Sequence, residues 1–138
     1  MGVTVLDAGV LIGFLDANDM HHEAAKDALE AARAAGSQIA MPASAFAESL
    51  VGPARRGTEA VGAVQELIKR LPIDVIALDE SIALAAAELR ARHGGRLKLP
   101  DALVVATAQV LDVDALVTTD KDWPSRSKLR LRAKLIQL

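Results

Sequence analysis

The sequence predicts an α/β fold: a parallel sheet with helices on both faces. Three observations carry this. Short, β-prone apolar runs alternate along the chain with longer segments of helical periodicity, the pattern of strand–helix–strand crossovers. The first such run, Val3-Thr4-Val5-Leu6, stops on Asp7 and passes directly into Ala8-Gly9-Val10-Leu11, as a buried strand turning into a helix does. No repeat, linker or low-complexity stretch interrupts the series, so residues 1–138 read as one domain with one core.

The elements follow in order. Ala8 to Asp16 is a short helix with Asp7 as its possible cap, broken at Asn18-Asp19. His22 to Ala35 is alanine-rich, with Ala25, Leu29 and Ala32 on one face, and Gly36 ends it as a C-terminal glycine does. Gln38 to Met41 makes a second strand. Pro42 opens a helix from Ala43 to about Gly52, where Pro53 predicts an end or a kink. Thr58 starts the next helix, with Val61, Val64, Ile68 and Leu71 at amphipathic spacing and Pro72 as terminator. Ile73 to Leu78 is the third strand. Asp79 caps the helix Glu80 to His93, with Ile82, Ala86 and Leu89 inward, and Gly94-Gly95 closes it. After a basic loop, Arg96 to Leu99, Pro100-Asp101 opens a helix to about Leu111 that is apolar nearly all round and therefore buried on most sides. Ala115 to Thr118 is the fourth strand, followed by the turn Thr119 to Pro124. Leu129 to Leu135 alternates apolar residues with Arg130, Arg132 and Lys134, which suits a half-exposed edge strand.

Composition removes several function classes. No apolar run reaches the roughly 18 residues of a membrane helix, and an N-terminus broken at Asp7 without a basic leader is unlike a signal peptide. The absence of cysteine excludes disulfides, thiolate metal sites and cysteine nucleophiles, and fits a cytoplasmic setting. The formal net charge of −2 carries no global signal for nucleic acid, so such binding has to come from a local basic patch. With Phe14, Phe46 and Trp123 as the only aromatics, the composition argues against a base-stacking platform of the single-strand-binding type.

The chemistry-bearing residues are acids. In a parallel sheet, residues just past different strands fall on the same edge, where ligands bind. Asp7 ends strand one and Asp120 ends strand four; Asp101, in the first turn of the buried helix, and Glu48, among Phe46, Ala47, Leu50 and Val51, are placed to join them. Each acid alone has an ordinary reading. Asp7 and Asp101 suit helix caps or first-turn positions, Glu48 suits a solvated helix face, and Asp120 or Asp122 suits a turn. Gathered, they do not: two carboxylates about 5 Å apart repel by roughly 3 kcal/mol at an effective dielectric near 20. A cation or shared protons must compensate. Oxygen-only donors suit Mg²⁺ or Mn²⁺, and such an ion supports hydrolysis of a phosphodiester by an activated water.

Four segments carry a resemblance: Val5-Leu6-Asp7-Ala8-Gly9-Val10-Leu11-Ile12, Met41 to Glu48, Leu99 to Ala108, and Leu116-Val117-Thr118-Thr119-Asp120-Lys121-Asp122-Trp123. In this order and spacing the chain resembles PIN-domain ribonucleases, and best the VapC-type toxins of bacterial toxin–antitoxin pairs. The resemblance implies a three-layer α/β/α sandwich and a divalent-metal endoribonuclease. It also implies a small VapB-type antitoxin as partner and a homodimer. It carries catalytic and metal-binding roles to Asp7, Glu48, Asp101 and Asp120, with Asp122 as second choice for the last, and places Thr118 near the site. Gly9 departs from the pattern, standing where the family commonly has Asn or Ser, so a supporting hydrogen bond is missing or replaced.

Among the cations, Arg90, Arg92, Arg96 and Lys98 precede Asp101 closely. Arg96 and Lys98 are the candidates for holding RNA phosphates, against a solvated loop; Arg55-Arg56 has the same two readings. Arg130, Arg132 and Lys134 suit edge-strand protection. His21-His22 points in directions about 100° apart, so it reads as solvated surface rather than a metal pair. His93, in the last turn of its helix, suits a structural role, and Trp123 suits packing against the core. Two other function classes compete with the nuclease. One is a non-catalytic PIN-like module that binds RNA or a partner. The other is a phospho-acceptor with Asp7 as nucleophile, disfavoured by Gly9 where a second Asp belongs.

Overall fold

A computed structural model of the chain describes residues 2–138. Among them run β1 (Val3–Leu6), α1 (Ala8–Leu15), α2 (His22–Ala34), β2 (Gln38–Pro42), α3 (Ala43–Arg56), α4 (Thr58–Arg70) and β3 (Ile73–Ile76). Then follow α5 (Glu80–His93), a 3₁₀ turn (Gly94–Arg96), α6 (Leu99–Val110), β4 (Ala115–Thr118), α7 (Arg126–Leu129) and β5 (Lys134–Gln137). The five strands are all parallel, in the order β3-β2-β1-β4-β5. Helices cover both faces, which makes the three-layer α/β/α sandwich expected. α2, α3 and α4 pack on β2 and β3, and α6 lies across β1, β2 and β4.

Local chemistry sets most boundaries. Gly36, at φ +72°, closes α2 in the left-handed conformation that only glycine adopts freely, and Ser37 N–H donates to Ala32 O at 2.9 Å. Asp79 caps α5 by accepting from Ile82 N–H at 2.9 Å. Asp114 accepts from Val3 N–H at 2.7 Å and its carbonyl from Lys134 N–H at 2.9 Å, tying β1 to the flanks of β4 and β5.

The core lies on both sides of β1 and β4. Val5, Leu11, Leu116, Val105 and Ala106 are fully buried, and α6 presents apolar side chains to the sheet and to α5 together. This accounts for its lack of a polar face. Leu116→Ala is expected to destabilise by about 2–5 kcal/mol, read as a lower urea midpoint with an unchanged slope.

Three expected elements are corrected. α3 does not stop at Gly52 but continues through Pro53 to Arg56, with Gly57 N–H donating to Pro53 O at 3.1 Å. Pro53 costs the helix a hydrogen bond; its side chain is buried, and packing against α4 outweighs the loss. Leu129 to Leu135 is not the edge strand. Leu129 ends α7, Arg130 turns in the left-handed region at φ 54°, and β5 begins at Lys134. The alternation there is real in burial, since Leu129, Leu131 and Ala133 are buried, but it belongs to a turn whose carbonyls are held by Arg126. β3 ends at Ile76 rather than Leu78.

Candidate functional site

The strand order creates the site. β1 leads to β2 on one side, and the chain later returns to lay β4 on the other side of β1. At such a reversal, connections leave in opposite directions and a crevice opens beyond the carboxyl ends of the two strands. Asp7 follows β1 and Asp120 follows β4, so both lie at that crevice.

Asp7 is 8% exposed. Its Oδ1 accepts from Ala8 N–H at 2.7 Å, capping α1, and its Oδ2 accepts from the Thr118 hydroxyl at 2.7 Å. Both predicted roles, cap and member of an acid group, therefore fall on one side chain. Burial pushes its pKa up, the two hydrogen bonds oppose this, and the charge of Asp120 adds to the rise. Thr118 is fully buried and also accepts from Asp120 N–H at 3.1 Å, so one hydroxyl ties the two strand ends together.

Asp101, half-buried in the first turn of α6, is pushed up to about 6, first by burial and then by the charges of Asp7, Asp120 and Glu48. Glu48 lies on the exposed side of α3 at the rim, its pKa raised by partial burial and by Asp7. The four acids predicted from sequence thus act on one another electrostatically. Among the described residues none of the four pairs with a lysine, arginine or histidine. Asp122 stands apart: it is exposed, is not among the charges that act on Asp7, Glu48 or Asp101, and donates its N–H to Asp120 Oδ1 at 2.8 Å as part of an ordinary turn.

The donor chemistry fits a hard divalent cation, since all four groups offer oxygen and their mutual repulsion is what such an ion relieves. Among the described residues, no three of these acids stand close enough together to hold one ion.

The surroundings include groups missed by local reading. Trp123 is buried as expected, but its indole N–H is oriented toward Asp101, whose pKa it holds down slightly, without reaching a well-formed hydrogen bond. Arg96 and Lys98 are exposed just before α6; Lys98 stands at its start, where its carbonyl accepts from Ala102 N–H at 2.9 Å and its side chain makes no capping bond. Arg96 does not stand alone. Arg92, Lys128 and Arg130 surround His93 with it, and together with burial they push the pKa of that imidazole down. Lys128 was not singled out by sequence, and Arg130 belongs to this cluster rather than to a strand edge. Nothing in their local spacing connects them; the docking of α7 against α6, with Gln109 Nε2 donating to Leu129 O at 2.9 Å, does. Arg132 instead reaches Asp112 at 3.8 Å on the surface. His21 and His22 are half-buried rather than solvated: His22 Nδ1 lies 2.9 Å from Gly13 O, joining α2 to α1.

A groove of about 750 Å³ opens beside Glu48 between α1, α3 and α4. Ile12, Leu15, Pro53 and Leu67 line it, and Glu48 and Arg56 supply polar groups.

A crevice at the reversal point of a parallel α/β sheet, lined by mutually repelling carboxylates, is where such a sheet places a binding site. The PIN domain family model matches residues 4–129, and the chain belongs to that family. Among solved structures it is similar to a toxin–antitoxin complex from Klebsiella pneumoniae, at 27% identity and a TM-score of 0.69, covering 86% of this chain and 88% of that one. VapBC2 from Rickettsia felis bound to a promoter DNA fragment is 16% identical at a TM-score of 0.73, covering 99% and 98%. The sarcin–ricin-loop-cleaving toxin VapC20 from Mycobacterium tuberculosis is 22% identical at a TM-score of 0.66, covering 86% and 91%. No curated protein matches the chain.

Proposed function

We propose that this chain is a metal-dependent endoribonuclease and the toxin of a VapBC-type toxin–antitoxin pair. One observation carries the reading: the carboxylates of Asp7, Asp101 and Glu48 are each made costlier to ionise by neighbouring acids, Asp120 among them, with no basic partner to relieve it. Membership in the PIN family and the likeness to toxin–antitoxin complexes support it. Asp7, Asp101 and Asp120 are assigned as the principal holders of Mg²⁺ or Mn²⁺, with Glu48 completing the set. The bound ion supplies positive charge for a phosphodiester oxygen and lowers the pKa of an attacking water. Thr118 keeps Asp7 turned toward the crevice. Glu48, exposed at the rim and raised in pKa, is placed to take the proton that water loses. Arg96 and Lys98 hold phosphates on either side of the one being cut.

Partners follow from the same reading. A VapB-type antitoxin segment with apolar side chains suits the groove beside Glu48, and its occupancy there would cover Glu48. A homodimer and a cytoplasmic setting complete the assignment. No helix among the described residues is long and apolar enough to cross a membrane.

The test is cleavage of end-labelled RNA with Mn²⁺, with Mg²⁺ and with a chelator. Cutting restored by either ion supports the nuclease; RNA binding without metal-dependent cutting reassigns the chain as a non-catalytic PIN module. Three variants sharpen it. Asp120→Asn is expected to lose cleavage while Asp122→Asn stays within about threefold of wild type, because only the first lies among the other acids. Arg96→Ala with Lys98→Ala is expected to weaken RNA binding across sequences alike. The slope of log affinity on log salt should flatten by about 1 for each phosphate contact removed, as read by titration in a cleavage-dead background.

A further inference from the structure

Gly9 sits in the second position of α1, with an ordinary helical φ, two residues past Asp7. Glycine inside a helix costs roughly 0.5–1 kcal/mol relative to alanine, and here no left-handed turn requires it. The space that a Cβ on Gly9 would occupy is already taken. Thr119 Oγ1 lies well inside contact distance of that point, and Thr119 Cβ is 3.2 Å from it. The first turn of α1 is therefore bare so that Thr119, at the end of β4, can lay its side chain against it.

That hydroxyl differs from its neighbour's. Thr118 Oγ1 is engaged on both sides, by Asp7 Oδ2 and Asp120 N. Thr119 Oγ1 makes no hydrogen bond to any described residue and is not sealed from solvent, since the residue is half-buried and its oxygen is not among the enclosed orphans. A hydroxyl held against a helix by close packing, next in sequence to Asp120 and with both donor and acceptor capacity unspent, is poised for a ligand.

We propose that Thr119 is a positioning residue of the acid crevice, its hydroxyl holding a water or phosphate oxygen beside Asp7 and Asp120, and that Gly9 leaves the space its side chain occupies. This rests on the nuclease reading and adds to it a group that none of the four acidic positions reveals.

The test uses the full chain and measures Mn²⁺ uptake by electron paramagnetic resonance without RNA, melting temperature, and cleavage. Thr119→Ser should keep Mn²⁺ affinity. Thr119→Val, matched in shape, should melt as wild type yet bind Mn²⁺ about 10-fold more weakly, the size expected when a supporting group around a metal is lost. Thr119→Ala replaces it if valine disturbs the turn. Gly9→Ser should lower the melting temperature by its clash with Thr119, and Gly9→Ser combined with Thr119→Ala should recover both stability and Mn²⁺ affinity, the hydroxyl now arriving from the helix. Wild-type Mn²⁺ affinity in both Thr119→Val and Thr119→Ala, or a Gly9→Ser protein as stable as wild type, overturns the inference. Asp7→Asn separates the two levels. If wild type binds Mn²⁺, Asp7→Asn does not, and Thr119→Val and Thr119→Ala both match wild type, the nuclease stands and Thr119 alone falls. If wild type takes up no Mn²⁺, both fall.

Discussion

Asp7→Asn is expected to lower RNA cleavage by about 10²-fold or more, the loss typical of removing a charge-stabilising group from a preorganised site, while the protein keeps its fold. The hydrogen bonds explain why the two effects separate. Asn Oδ1 can still accept from Ala8 N–H, so the start of α1 remains capped. Asn Nδ2 can donate to the Thr118 hydroxyl, which rotates to become the acceptor at the same 2.7 Å separation. What disappears is a negative charge in a place 8% exposed, where burial already works against it. Circular dichroism should therefore be unchanged, and melting temperature equal or slightly higher. A variant that cuts RNA at the wild-type rate removes Asp7 from the mechanism.

Asp101→Asn is expected to stabilise the metal-free protein above pH 7 and to remove a pH dependence that wild type shows. The carboxyl of Asp101 is pushed from 3.8 to about 6 in the folded chain. In the unfolded chain it ionises first, so between these values rising pH favours unfolding. The contribution to stability is complete below about pH 4 and is lost as pH climbs through 6. The whole shift corresponds to roughly 3 kcal/mol. Because Asp101 is only half-buried, solvent screening brings this to about 1–2 kcal/mol, or roughly 3–8 °C in a domain of this size. Thermal melts of wild type from pH 4 to 8 should fall by that amount relative to Asp101→Asn. Adding Mn²⁺ at pH 7.5 should raise the wild-type melting temperature, since a ligand of the folded state stabilises it by mass action, and should do less for the variant. Parallel melting curves for the two proteins across this range would show that the acids do not burden one another.

Much of this is legible in the sequence. Strand and helix periods are local, so Val3–Leu6, the amphipathic helices and the all-round apolar α6 could be read from spacing. The Asp79 cap and the Gly36 stop follow from chemistry within one turn. That Asp7 and Asp120 share an edge also follows from sequence, because residues that leave parallel strands leave them at the same end.

Tertiary structure decided what depends on distant neighbours. The order β3-β2-β1-β4-β5, which sets Asp7 beside Asp120, depends on which sheet edge each strand joins, not on any strand's own pattern. Asp120 and Asp122 are alike in sequence, and only the Thr118 bridge and the facing Asp101 tell them apart. Helix α3 runs past Pro53 because burial outweighs a local breaker, and Leu129 to Ala133 alternates in burial without being a strand. Gly9 reads as a gap in the motif until Thr119 is seen to fill it from β4. In each case the deciding energy is a contact between residues far apart in the chain, and periodicity, which reports only on near neighbours, carries no trace of it.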